Sequence, residues 1–263
     1  MQVKKIHRVI SRQFGLDLRR LWSGLFSIPR FISDYTKFRH AYKGKIELQP
    51  FLHNRTEEAG ATNSEYFWQD LVVAKLIFDA EPTRHVDIGS RIDGFIGHVA
   101  SYRSIEIFDI RPMTTLIPGV VFKRADLMDG STLLGTENND YCDSLSCLHA
   151  LEHFGLGRYG DPINPLGYQL GLSNMAKMLK KSGLFYLSIP VGRERVEFNA
   201  NWIFDPRVII DVANEAQLKL LNFYLIYSDQ PPKEVGADAH KTTFDQLAEE
   251  DYHLGLFIFS KEV

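Results

Sequence analysis

His85-Val-Asp-Ile-Gly-Ser-Arg-Ile-Asp-Gly94 decides the fold. Its first half is a short apolar run that closes on an acid and a glycine. That pattern predicts a buried strand turning at Gly89-Ser90 into a helix. A second apolar stretch, Glu106-Ile-Phe-Asp-Ile-Arg-Pro112, closes on Asp109, which follows Asp87 by 22 residues. A carboxylate at the end of the strand next to a glycine turn is how a nucleotide-binding α/β fold grips ribose hydroxyls.

Outward from this pair, the periodicity alternates between strand and helix. Strands are predicted near 85–89, 104–109, 120–124, 143–148, 184–189, 218–227 and 254–260, with helices near 94–101 and 168–181. Asp205-Pro206 reads as an N-cap with proline at the first helical position, opening a helix to about Glu215. A capping box, Thr62-x-x-Glu65, starts another helix that Pro82 stops. The long polar loop before the last strand favours an antiparallel terminal pair. The expected architecture is α/β: a Rossmann-like, mostly parallel seven-stranded sheet with an antiparallel last strand, spanning 62–263 and preceded by a helical extension and linker, 1–61.

Those 263 residues bury a full core, and 44% hydrophobic with 24% charged residues is ordinary for a globular protein. A formal charge of -3 gives no reason to expect a nucleic-acid partner. Cys142 and Cys147 fall on opposite faces of one strand, so no mutual disulfide is expected and a reducing, cytoplasmic compartment fits. No apolar run is long enough to span a membrane, and no signal-peptide pattern is present.

Charge is unevenly spread. Residues 1–45 carry eleven Lys/Arg against two acids, in a chain whose total is negative. Ile6, Val9, Ile10, Phe14, Leu18, Leu21 and Leu25 form one helical stripe flanked by basic side chains, and Pro29 is expected to end that helix. A basic amphipathic helix of this kind lies on an anionic membrane face, or packs on its own domain or on a second subunit in a homodimer. The membrane reading puts residues 1–40 at the inner face of the plasma membrane.

The glycine turn lacks the second glycine of G-x-G-x-x-G and carries Arg91 instead, which argues against NAD. In context, the element order resembles the class I S-adenosylmethionine-dependent methyltransferases over about 84–262. Val86-Asp-Ile-Gly-Ser90 matches that family's first motif. Asp109 matches the acid after the second strand, Ala125-Asp126-Leu127 the acidic step after the third, and Asp143–His153 the fourth-strand motif that ends in Leu-Glu-His. Met178-Leu-Lys-Lys-Ser-Gly183 resembles the turn before the fifth strand. The resemblance implies S-adenosylmethionine as cofactor, its methionine part held by Asp87, Gly89 and Ser90, its ribose by Asp109 and its adenine by Asp126 and Leu127. The run Leu151–Pro162 also resembles a small methyltransferase-like family of bacterial surface-polysaccharide gene clusters. That implies a hydroxyl of a surface glycan, or of its nucleotide- or lipid-linked precursor, as acceptor.

Transfer to a hydroxyl needs alignment and a base. The base is expected just past the fourth strand, at the C-terminal edge of the sheet. His153 is the expected base, with Glu152 or Asp161 as partner, while His149 is read as structural. Arg158 and Tyr159, and Arg193 and Trp202 in a polar segment that could act as a lid or a plain crossover, are the expected acceptor contacts. Glu152, His153 and Asp161 include no two-histidine helix spacing, so no metal is expected. A non-catalytic partner in a polysaccharide assembly complex, shaped like a methyltransferase, is the alternative, and it gains ground if Arg91 fills the glycine turn.

Overall fold

The computed structural model describes residues 18–52, 62–133, 139–236 and 240–262. The chain divides into two compact units, Met1–Ala61 and Thr62–Val263.

In the first unit, helix α1 spans Leu18–Ala41. Pro29 lies inside it, contrary to the expectation that Pro29 ends the helix. A proline removes one amide donor, and the helix continues past it, with Thr36 Oγ1 donating to the Ile32 carbonyl at 2.8 Å. The stripe from Ile6 to Phe14 lies outside the described residues.

The second unit follows the chain order α2 Glu65–Ala80, β1 His85–Ile88, α3 Gly97–Ala100, β2 Ile105–Asp109, β3 Val120–Arg124, α4 Gly130–Leu133 and β4 Cys142–Leu148. It continues with α5 Gly167–Met178, β5 Leu179–Val191, β6 Arg195–Glu197, β7 Asn201–Ile203, α6 Pro206–Glu215, β8 Leu218–Ile226, β9 Lys233–Glu234, α7 His240–Leu247 and β10 His253–Lys261. The main sheet has the order β3-β2-β1-β4-β5-β10-β8-β9. Strands β3, β2, β1, β4 and β5 run parallel, and β10 inserts antiparallel between β5 and β8. The expected seven strands are all present, and the two-residue β9 adds an eighth at the edge.

Both faces of the sheet are covered, which is why β1 is buried throughout, its apolar Val86 and Ile88 alternating with hydrogen-bonded His85 and Asp87. Val86 and Ile88 face one core with Leu172 and Met175 of α5, Ile209 of α6 and Phe244 of α7. On the other face, Val73 and Ile77 of α2 pack with Phe95, Ile96, Ile107 and Leu256. Cys142 and Cys147 are buried free thiols.

Two local readings change. The N-cap of α2 is Ser64, with no side-chain cap bond, so the Thr62 capping box is not formed. Glu65 instead accepts from the Tyr252 hydroxyl at 2.7 Å. The segment after β5 is neither lid nor plain crossover but the β6–β7 hairpin. The Asp205 cap is as expected, its side chain accepting from the Arg207 amide at 2.9 Å.

Candidate functional site

The C-terminal ends of β1, β2 and β4 meet at the turn after β1. Asp87 is fully buried and accepts from the Ser90 amide at 3.0 Å, the Ser90 hydroxyl at 2.6 Å and the Ser146 hydroxyl at 2.5 Å. Burial pushes its carboxyl up to about 7, against the pull of those hydrogen bonds. Ser90 Oγ accepts in turn from the Leu148 amide at 3.1 Å. Asp87 and Ser90, expected to touch the cofactor's methionine part, are therefore internal: they fasten the turn to β4, and neither offers a side chain to a ligand.

Gly89 is the half-buried residue of the turn. Its φ of +70° favours glycine, and a Cβ there would stand 3.0 Å from that of Ala150. Its amide donates to the Phe108 carbonyl at 3.0 Å, tying the ends of β1 and β2 together. Gly89 and Asp109, at the paired ends of β1 and β2, lie at the sheet's C-terminal edge, in the crevice region where α/β sheets hold ligands.

Asp109 stands at the end of β2 as expected, but its carboxylate is engaged. Arg111 Nε lies 3.0 and 3.1 Å from its two oxygens and Nη2 lies 2.5 Å from Oδ2, while the Arg111 amide donates to Oδ1 at 2.8 Å. The same Nη2 reaches the Gly89 carbonyl at 3.2 Å, and the guanidinium stands 4.7 Å from the Tyr159 ring centre. Arg91 does not fill the turn: it pairs with Asp93 at 2.7 Å and lies over Tyr66 on α2.

After β3, Asp126 accepts from the Met128 amide at 2.9 Å and so closes its own turn. Leu127 is buried in the core, and its carbonyl accepts from Asn174 at 2.9 Å. The Leu127 side chain is thus a core residue, correcting its assignment to the adenine.

Past β4 the chain makes a tight bend at His149, whose φ of +53° is uncommon for a residue other than glycine. His149 Nδ1 donates to Glu152 Oε1 at 2.8 Å, and its ring lies 4.6 Å from that of Tyr66. Glu152 is 1% exposed. Burial alone would raise its carboxyl; the His149 hydrogen bond and the charges of His149 and His153 outweigh that and hold it below the usual range. His149 Nε2 and Glu152 Oε2 are both buried without a hydrogen-bond partner.

His153 is arranged differently. Its Nδ1 donates to the Ala200 carbonyl of the β6–β7 hairpin at 2.8 Å, and its Nε2 is 3.8 Å from Glu152 Oε1, beyond hydrogen-bond reach. Burial lowers its pKa, so the ring is neutral at pH 7. Arg158 donates to the same Ala200 carbonyl at 2.7 Å. Asp161 accepts from the Gly157 and Tyr159 amides at 3.0 and 3.1 Å. It is a loop clamp rather than a partner of His153.

Tyr159 joins the two halves of the site, with Arg111 on its ring and His153 edge-on at 5.4 Å. Two expected acceptor contacts have partners of their own. Trp202 packs against Tyr168 and stacks on Phe204, and Arg193 donates to the Glu249 carbonyl at 2.8 Å. Sequence reasoning missed Arg111 and Tyr66 and did not pair His149 with Glu152. The only sequence signals for them were an arginine two residues past the strand-end acid and a histidine three residues before a glutamate.

Among the described residues, no helix is long and apolar enough to cross a membrane.

In sequence, residues 133–241 match a family model described as a Caenorhabditis protein of unknown function, DUF268. No curated protein matches the chain. Among solved structures, a 1,6-didemethyltoxoflavin-N1-methyltransferase from Burkholderia thailandensis, with S-adenosylhomocysteine bound, is 12% identical. The match covers 94% of this chain and 92% of that one, with a TM-score of 0.50. An O-methyltransferase family protein from the same organism is also 12% identical, over 73% and 55% of the two chains, with a TM-score of 0.45. Phosphoethanolamine N-methyltransferase 2 of Haemonchus contortus, 12% identical over 80% and 60%, gives 0.47. The fold is that of the S-adenosylmethionine-dependent methyltransferases.

Proposed function

We propose that this chain transfers a methyl group from S-adenosylmethionine to a hydroxyl, with His149 as the base and Glu152 holding it. The observation that carries the reading is the His149–Glu152 pair. The carboxylate takes Nδ1–H and so leaves the lone pair on Nε2, which is buried without a partner at the C-terminal end of β4. The cleft fits the cofactor: Gly89 presents bare backbone beside the strand-end acid Asp109, the place where a ribose diol finds its acceptor.

S-adenosylmethionine supplies the activated methyl group and the leaving group. The protein's part is alignment and proton removal. Gly89 allows close approach, Asp109 accepts the two ribose hydroxyls, and His149 Nε2 takes the proton of the acceptor hydroxyl while Glu152 steadies the imidazolium that forms. Tyr66 on α2 covers His149, so an acceptor reaches Nε2 past that ring. His153 and Arg158 instead hold the β6–β7 hairpin through Ala200.

That the hydroxyl belongs to a surface glycan or its precursor rests on the resemblance of Leu151–Pro162, and is supported by the exposed Arg158 and the half-exposed Tyr159 at the site. Label transfer from methyl-labelled cofactor to glycan hydroxyls, lost in His149→Ala with cofactor binding retained, tests the reading.

One observation favours the non-catalytic alternative: Arg111 occupies the Asp109 carboxylate. Failure of the folded protein to bind S-adenosylhomocysteine would choose it.

For the first unit, an interfacial role is supported by α1 itself. Trp22, Leu25, Phe26 and Ile32 are exposed on it beside Arg30, Lys37 and Arg39. Flotation of the full chain with anionic but not neutral vesicles is the expected result.

A further inference from the structure

The structure assigns Arg111 as the residue that sets cofactor affinity, by competing with the ribose diol for Asp109. This rests on the reading of the cleft as an adenosyl site. A carboxylate accepts a diol through the same in-plane edge that a guanidinium fork uses. Here Arg111 Nε and Nη2 already take that edge, with contacts of 2.5–3.1 Å to both oxygens. The guanidinium also spans the cleft, since Nη2 reaches the Gly89 carbonyl at 3.2 Å. Diol and guanidinium cannot share this edge, so nucleoside binding requires Arg111 to leave it.

The arrangement allows that departure. The Arg111 side chain is 41% exposed, against 11% for Asp109, so the arginine has open water to swing into while the acid stays fixed. The Arg111 amide donates to Oδ1 independently of the side chain, which keeps the carboxylate oriented after the guanidinium has gone. Tyr159 holds the guanidinium from the other side, at 4.7 Å. Its ring also stands edge-on to His153, so the arginine's departure frees a ring that belongs to the loop carrying the His149–Glu152 pair. A site whose competent state is only partly populated binds more weakly by that fraction.

The test is calorimetric titration of the full chain with S-adenosylhomocysteine, and with its 2′-deoxy analogue, for the native protein, Arg111→Ala and Arg111→Met. Methionine keeps an aliphatic stem against Tyr159. Removal of a half-exposed guanidinium competitor is expected to tighten S-adenosylhomocysteine binding by about fivefold or more. The analogue should bind more weakly throughout, because it makes one bond fewer to Asp109, and should gain by the same factor, because its remaining hydroxyl needs the same edge. Native melting temperatures in both variants exclude a folding artefact. If the native protein binds and both folded variants bind no tighter, the role of Arg111 is overturned and the cofactor site stands. If neither native protein nor variants bind, the adenosyl reading itself falls and takes this inference with it.

Discussion

His149 Nδ1 lies 2.8 Å from Glu152 Oε1, while His153 Nε2 stands 3.8 Å from the same oxygen. One carboxylate thus serves one histidine. A hydrogen-bonded carboxylate fixes the ring tautomer and stabilises the imidazolium, which is the ground for proposing His149 as the base and His153 as a hairpin anchor. His149→Ala is expected to lower turnover by about a hundredfold or more while S-adenosylhomocysteine affinity stays within about twofold. Glu152→Gln should follow it, and His153→Ala should cost much less. Steady-state rates with titration of each variant check this, and equal losses in His149→Ala and His153→Ala would reverse the assignment.

The glycines of the 155–160 loop separate backbone strain from collision. Gly155 and Gly160 have φ of +79° and +83°. A Cβ on Gly155 would fall 1.9 Å from the Asn164 carbonyl oxygen, whereas nothing stands within 4 Å at Gly160. Gly160→Ala is expected to cost about 1 kcal/mol, the strain alone. Gly155→Ala should cost at least twice that, because backbone has to move. Urea midpoints of the two variants are the comparison.

Beneath the site, His85 and Asp87 have opposed titrations joined through Ser146, which lies 3.1 Å from His85 Nε2 and donates to Asp87 at 2.5 Å. Burial lowers His85 to about 3 and raises Asp87 to about 7. Between the ordinary carboxylate value near 4 and pH 7 the folded state holds the extra proton at Asp87, so that residue's contribution to stability falls as pH rises. Between about 3 and the ordinary imidazole value near 6.5 the unfolded state holds the extra proton at His85, so its contribution rises with pH. The two oppose each other from about pH 4 to 6.5. Asp87→Asn should leave His85 unopposed and make stability drop more steeply on acidification in that window. Melting temperatures of native and variant protein between pH 4 and 8 decide it; parallel profiles would contradict the opposition.

The fold was legible because β1, β2 and β4 are short, mostly buried strands followed by glycine or acidic turns at regular spacing. Pro29 misled because a single missing amide does not stop a helix, and Thr62 because a capping pattern competes with whatever else Glu65 can bind, here Tyr252. The site was legible in part. Asp109 sits where the strand end puts it, since the strand's length fixes the position of its last residue. The partners of Asp109 and Glu152 were not legible: Arg111 reaches Asp109, and His149 rather than His153 reaches Glu152, through side-chain rotamers and a left-handed bend that spacing does not encode. Trp202, read as a stacking surface, packs half-buried against Tyr168 and Phe204, contacts that its sequence neighbours do not encode.

The central claim is that the cleft between Gly89 and Asp109 holds an adenosyl cofactor. Calorimetric titration of the purified full chain with S-adenosylmethionine and S-adenosylhomocysteine tests it most directly. Saturable one-to-one binding at micromolar concentration, lost in a folded Asp109→Ala variant, is the predicted result. No binding by folded native protein or by Arg111→Ala, or affinity unchanged in Asp109→Ala, would contradict it.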